Sequence, residues 1–286
     1  MKSEESPKIG LVTFAAGDPI WKLAALRLAI QAKRSKRFSK ICVFDRKSLL
    51  NICSETEIQH FNKHEKGFGL WFWKPKIIID FLLDNPEIDI VVYLDEGCEL
   101  NFNNDSRIKF EEYLLDLYHF DAIVFQMELV EKNWSHKELT TFLDSTRDDL
   151  DSGQMVGGAH LMTRRFALKF CAKWEKTIQF ENFKLLIDQD LNLQDSDFKA
   201  HRHDQSIFSL LVKKESNVKI RDSLKEIYFQ DFVKNGAIWP IWTARNKSIT
   251  SIQSTSFLSF SLKFLERIYS YFYRRRDQFF RTASEK

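Results

Sequence analysis

Cysteine is scarce in these 286 residues and never paired: Cys42, Cys53, Cys98 and Cys171 stand far apart, with no Cys-x-x-Cys step and no local histidine cluster. That spacing excludes a local zinc site and predicts ordinary reduced thiols. Long apolar runs are missing too, and none approaches the ~20 residues a membrane-spanning helix needs. Met1 to Pro7 is polar and partly acidic, without the basic start and apolar stretch of a secretory signal, so the expected location is cytoplasmic. No Gly-x-Gly-x-x-Gly or Walker-type phosphate loop occurs, and no internal repeat. Strong charge of one sign is also absent. A net charge of +3, from 43 basic and 40 acidic residues, fits neither an acidic disordered chain nor a basic nucleic-acid coat, and no nucleic-acid partner is expected.

What is present is ample apolar material, 44% of the chain, in an alternating β-α order. Lys8 to Ala15 reads as a buried parallel strand, followed through Ala16-Gly17-Asp18-Pro19 by a helix from Ile20 whose buried face is Leu23, Leu26, Ala29 and Ile30. Ile41 to Phe44 is a second strand. Pro75 opens a helix buried along Ile77, Ile78, Phe81 and Leu82 and stopped by Asp84-Asn85-Pro86. Asp89 to Leu94 is the clearest strand, followed by a helix from about Asp105 to Tyr118 and a strand at Asp121 to Phe125. Gly153 to Leu161 reads as a turn and short strand, Arg164 to Phe180 as a helix, Asp188 to Ala200 as loop, Asp204 to Val212 as a helix, and Val218 to Ile220 as a short strand. The expected fold class is α/β, a single Rossmann-like domain over 1–255 with a helical appendage over 256–286.

Three segments carry residue types suited to chemistry. Asp95, Glu96 and Gly97 follow the clearest strand directly, and open α/β sheets bind ligands beyond the carboxyl ends of their strands. A hard divalent cation, Mn²⁺ or Mg²⁺, prefers such carboxylate oxygen together with phosphate and water; the alternative is that Asp95 caps a turn. In Lys66 to Lys76, Gly67 and Gly69 allow close backbone approach and Trp71 and Trp73 offer flat rings. Lys74 or Lys76 suits a phosphate, while burial of the tryptophans as core is the competing reading. His201-Arg202-His203-Asp204-Gln205-Ser206 opens a helix with groups suited to a metal ligand, a base and sugar-hydroxyl partners, or simply with a helix-start acid and its solvated flank.

In order and wording, GFGLWFWKPKII, DIVVYLDEGCEL and HRHDQSIFSLL resemble a bacterial family of glycosyltransferases with the nucleotide-sugar-binding A-type fold, over roughly Lys8 to Arg245. The resemblance implies a metal and nucleotide-sugar role for Asp95 in an Asp-x-Gly-Cys element akin to the Asp-x-Asp donor motif. Gly97 replaces the second carboxylate, so Glu96, Glu99 or a distant residue must complete the shell. It also implies His203 as the late metal ligand, ahead of His201. The run Ser152 to Ala159, with Gln154, Gly157 and Gly158, resembles the small-residue stretch lining donor sugar and acceptor, and Trp73, Lys74, Glu96 and Gly97 join Asp95 in the expected donor site.

The implied activity is metal-dependent hexosyl transfer from a nucleotide-sugar donor to a glycan or lipid-linked acceptor, in cell-surface polysaccharide synthesis. Asp204 is the candidate base for an inverting reaction; in a retaining one, Asp204 and Gln205 orient the sugar. The alternative is a carbohydrate-binding or scaffold protein that kept the fold and lost turnover. Finally, 256–286 holds seven basic and three acidic residues, and on a helix Phe257, Phe264, Leu265, Ile268 and Phe272 share a face. With Arg267 and Arg274-Arg275-Arg276, that pattern suits peripheral contact with an anionic membrane at the inner face of the plasma membrane, docking on the catalytic domain being the other reading.

Overall fold

A computed structural model describes residues 6–253, together with Leu262 and Leu265. The remainder of the 256–286 appendage, and the reading of it as an amphipathic helix, lies outside the described residues.

A six-stranded mixed sheet runs in the order β2-β1-β3-β6-β5-β7, where β1 is Ile9–Phe14, β2 Lys40–Phe44, β3 Ile90–Leu94, β5 Ala122–Val130, β6 Gly153–Thr163 and β7 Val218–Asp222. A two-stranded sheet pairs β4 (Glu99–Leu100) with β8 (Ile241–Trp242). All neighbours in the large sheet are parallel except β6, which runs against β3 and β5. The class is thus α/β and Rossmann-like. The stretch expected as a turn and short strand is instead the full-length β6 in mid-sheet. Its three glycines weaken the strand signal, but burial on both faces and pairing with β3 and β5 supply what local propensity lacks.

Helices cover both faces. Lys74–Asp84 buries Ile77, Ile78, Phe81 and Leu82, as its periodicity predicts. Pro19–Ser35, capped by Asp18 with Pro19 in its first turn, departs from expectation. Its buried residues are Ala24, Ala25, Arg27, Leu28, Ala32 and Ser35, while Leu26 is 47% and Ile30 39% exposed. Small side chains let this helix lie close to the sheet, and Arg27 reaches beneath it to the backbone carbonyls of Glu96, Cys98 and Asn246. One buried guanidinium thereby ties the turn after β3 to the chain beyond β8. All four cysteines are free thiols. No described helix is long and apolar enough to cross a membrane.

His160 on β6 sits opposite Tyr93 and is sandwiched between the Tyr93 and Phe208 rings at 5.1 and 5.0 Å. It is fully buried, with neither ring nitrogen hydrogen-bonded among the described residues. Burial, reinforced by the Lys74 charge, pushes its pKa down to about 3. Below pH ~6.5 the unfolded histidine takes a proton that the folded one refuses, so stability falls as pH falls from there toward 3. The loss is on the order of 5 kcal/mol. His60, held down to about 4 mainly by burial, adds to the same slope. Urea unfolding of His160→Phe across pH 4–7 should show a flatter profile; a slope parallel to the parent chain's would refute this account.

Candidate active site

The carboxyl ends of β1 and β3 open on the side where β6 contributes Gly157 and Gly158. Asp95 follows β3 directly and is fixed at both ends: its N–H donates to the Gly158 carbonyl at 2.8 Å, and its own carbonyl accepts from Cys98 N–H at 2.9 Å. Its side chain, 40% exposed, accepts from Tyr93 Oη at 2.7 Å. A side chain at Gly158 would place Cβ 2.3 Å from Asp95 Oδ2, so this carboxylate position requires glycine.

Lys74, in the first turn of Lys74–Asp84 ahead of Pro75, points its ammonium inward and joins the separated motifs. Nζ lies 2.9 Å from Asp204 Oδ2 and 3.3 Å from Asp95 Oδ1, and donates to the Gly157 carbonyl at 3.2 Å. Burial opposes the charge on Lys74, but the carboxylates of Asp204 and Asp95 more than offset it and hold its pKa above the ordinary value. Burial in turn raises Asp204 to about 6, with Lys74 pulling the other way. Glu96 is raised to about 7, first by burial and then by Asp95. Three carboxyl groups thus crowd one ammonium, an arrangement with room for more positive charge.

Asp204 begins the helix Asp204–Lys213, immediately after a strained residue: His203 adopts φ 50°, ψ −119°. Two contacts hold it there, Nδ1 with the Leu186 carbonyl and Nε2 with Lys66 Nζ, each at 2.9 Å. Since a carbonyl only accepts, Nδ1 carries the proton and Nε2 offers its lone pair to Lys66. Gln205 accepts from Gly157 N–H at 3.3 Å and donates to Gln154 Oε1 at 2.9 Å.

Several expected residues lie elsewhere. Trp73 is buried, its ring 4.0 Å from Phe14 and its Nε1 on the Gly67 carbonyl, so it is core rather than a ligand platform. Trp71 is half-buried, 6.2 Å from the His203 ring. Lys76 pairs with Glu57 and Glu175 instead of facing the site. Gln154 is fully buried and acts behind Gln205, donating to Glu131, Ser135 and Ser206. His201 is buried against the Leu185 carbonyl. Glu99 is saturated by Gln31, Asn246, Ser251 and the Ile252 N–H, which removes it from any metal shell.

Sequence reading missed Glu131, buried at 0% exposure and bound by Ser135, Gln154, Ser209 and Lys213. This network underlies Gln205 and the start of its helix. Its one sequence signal is Ser206, Ser209 and Lys213 recurring along the buried face of an otherwise apolar helix.

For a divalent cation, Asp95 with Glu96 beside it supplies the right donor chemistry and a local excess of negative charge. No three His, Cys, Asp or Glu side chains gather into a ligand group among the described residues. Mg²⁺ is commonly held by one or two carboxylates plus substrate phosphates, and the residues fit that mode only.

No family model and no curated protein matches the chain. Among solved structures it is similar to a glycosyltransferase involved in the glycosylation of the major capsid of PBCV-1, at 9% identity and TM-score 0.49, covering 94% of this chain and 100% of that one. It is also similar to the apo form of mouse xyloside xylosyltransferase 1, at 11% identity and TM-score 0.41, covering 82% of this chain and 97% of that one. Neither likeness assigns a role to a side chain.

Proposed function

We propose that this chain is a glycosyltransferase, moving a sugar from a nucleotide-sugar donor to a glycan or lipid-linked acceptor. The observation that carries the reading is the meeting of three motifs, distant in sequence, at one ammonium: Lys74 touches Asp95, Gly157 and Asp204 together. Such convergence beyond the carboxyl ends of parallel strands marks the ligand crevice of an open α/β sheet.

Asp95, with Glu96, would hold Mn²⁺ or Mg²⁺ carried in on the nucleotide diphosphate, and the cation would offset charge growing on the leaving group. His203, expected as a further ligand, is engaged by Lys66 and the Leu186 carbonyl and gathers into no ligand group with Asp95 and Glu96, so the metal shell in this reading is completed by phosphate and water. Gly157 and Gly158 let Gln205 and Asp95 pack directly against β6, which fixes the amide and the carboxylate that would orient the donor sugar. Asp204, which burial raises to about 6, would accept the proton of the acceptor hydroxyl in an inverting reaction and, with Gln205, orient the sugar in a retaining one.

Thermal unfolding with a panel of nucleotide sugars, with and without Mn²⁺, tests the reading. One donor should stabilise the chain by about 2.7 kcal/mol at a hundredfold excess over its Kd. Asp95→Asn should lose the Mn²⁺-dependent part of that gain. Turnover should release nucleoside diphosphate rather than pyrophosphate. No stabilisation by any donor would favour a scaffold protein instead.

The basic excess in 256–286 supports a peripheral site on anionic membrane. The full chain should co-sediment with anionic vesicles at low salt and dissociate at high salt; binding to neutral vesicles alike would refute it.

A further inference from the structure

Two arginines flank the carboxylate cluster. Arg245 lies over the turn after β3: a Cβ on Gly97 would come within 3.1 Å of Arg245 Cα, and Asn246 N–H donates to the Gly97 carbonyl at 2.9 Å. Its side chain is exposed. Arg202, two residues ahead of Asp204, stands beside the Gln205 amide, both lying against Met127 Sδ. Half-buried, its guanidinium stands 5.7 Å from the Trp134 ring centre, and Nη1 donates to Met127 Sδ at 3.5 Å. Neither arginine forms an ion pair with a carboxylate among the described residues, unlike Arg221, which binds both Asp116 and Glu226.

A thioether is a weak acceptor, so the Arg202 fork keeps most of its donors unspent. The two guanidiniums also act on each other: burial and then the charge of Arg245 lower the pKa of Arg202, while Asp204 and Glu131 pull it the other way. Guanidinium forks match the oxygens of phosphate and bind them in pairs. Like charges held within each other's field, with donors to spare, gain most from an oxyanion placed between them. Arg202 also borders, through Met127, a cleft of about 260 Å³ whose other walls include Gln126, Glu128, Ile220 and Asp222.

We propose that Arg202 and Arg245 together form an oxyanion site for a phosphate-type group at the mouth of the carboxylate cluster. Only the source of that group rests on the glycosyl-transfer reading. It is the diphosphate of the donor, lying over the Asp95 turn, or a phosphate borne by the acceptor in the Met127 cleft. Binding of the oxyanion itself needs no turnover.

Calorimetric titration of the full chain with inorganic pyrophosphate, in metal-free buffer, reads the site directly. Arg202→Gln and Arg245→Gln should each weaken binding about tenfold or more, and Arg202→Lys should fall between, keeping the charge and losing the fork. Asp95→Asn should not weaken it. Arg245 is exposed, so Arg245→Gln stays interpretable even where Arg202→Gln loosens packing on Trp134, which a melting curve detects. Saturation with a mixture of the four common nucleoside diphosphates separates the sources: displacement of pyrophosphate assigns the site to the donor, and undiminished binding assigns it to the acceptor. Absence of pyrophosphate binding, or equal affinity in the parent chain and both glutamine variants, overturns the proposal. Pyrophosphate bound through the arginines by a chain that responds to no nucleotide sugar would instead leave this site standing and sink the glycosyl-transfer reading.

Discussion

Lys74→Met is expected to lower the unfolding free energy by about 3–5 kcal/mol, the usual cost of removing one partner from a buried ion pair. Lys74 is 4% and Asp204 3% exposed, so the abandoned Asp204 carboxylate has no water to turn to. Asp95, 40% exposed in its side chain and still held by Tyr93, contributes little to the cost. The sign with pH follows. Burial already raises Asp204 to about 6, and without Lys74 its pKa climbs further, so protonation relieves the variant as pH falls. The gap between variant and parent in urea unfolding should therefore narrow from pH 8 to pH 5. Lys74→Met with Asp204→Asn should recover much of the stability and none of the transfer activity. A single-variant loss under about 1 kcal/mol would show that the ion pair is not buried as described.

How far the sequence reveals this site depends on whether a residue's role is local. Asp95 is legible because strand end, carboxylate and glycine are adjacent. The helix Lys74–Asp84 is legible through Pro75 and its apolar spacing. By contrast, Lys74 and Lys76 are equivalent on composition, and only the packing of their helix against the sheet turns one toward Asp95 and the other toward Glu175. Trp73 and Gln154 mislead for a related reason: an aromatic ring or an amide beside a motif is as useful for supporting the site as for touching a ligand. Strand β6 is hidden by glycines that exist because Asp95 and Gln205 press against it. Arg27 and Glu131 are invisible to periodicity, since each is a buried charge satisfied mainly by residues far away in the chain.

The pH profile of transfer distinguishes the two stereochemical courses. For inversion, Asp204 must take the acceptor proton and act only when ionised. Turnover at limiting acceptor should then fall about tenfold per unit below pH 6, the pH to which burial raises this carboxyl. Asp204→Asn should cost about 10²- to 10⁴-fold, the range of one general base, and abolish that acid limb. Burial raises the neighbouring Glu96 to about 7, so Glu96→Gln, which weakens the cation site and lowers the overall rate, should still keep the limb near pH 6 if Asp204 is the base. For retention, Asp204 only orients the sugar through Lys74 and Gln205, and the asparagine variant, of equal shape, should lose far less and leave the profile unchanged. An acid limb that survives Asp204→Asn would remove Asp204 as the base. A limb lost with Glu96→Gln instead would move that role to the carboxyl beside Asp95, which already stands in the stronger negative field.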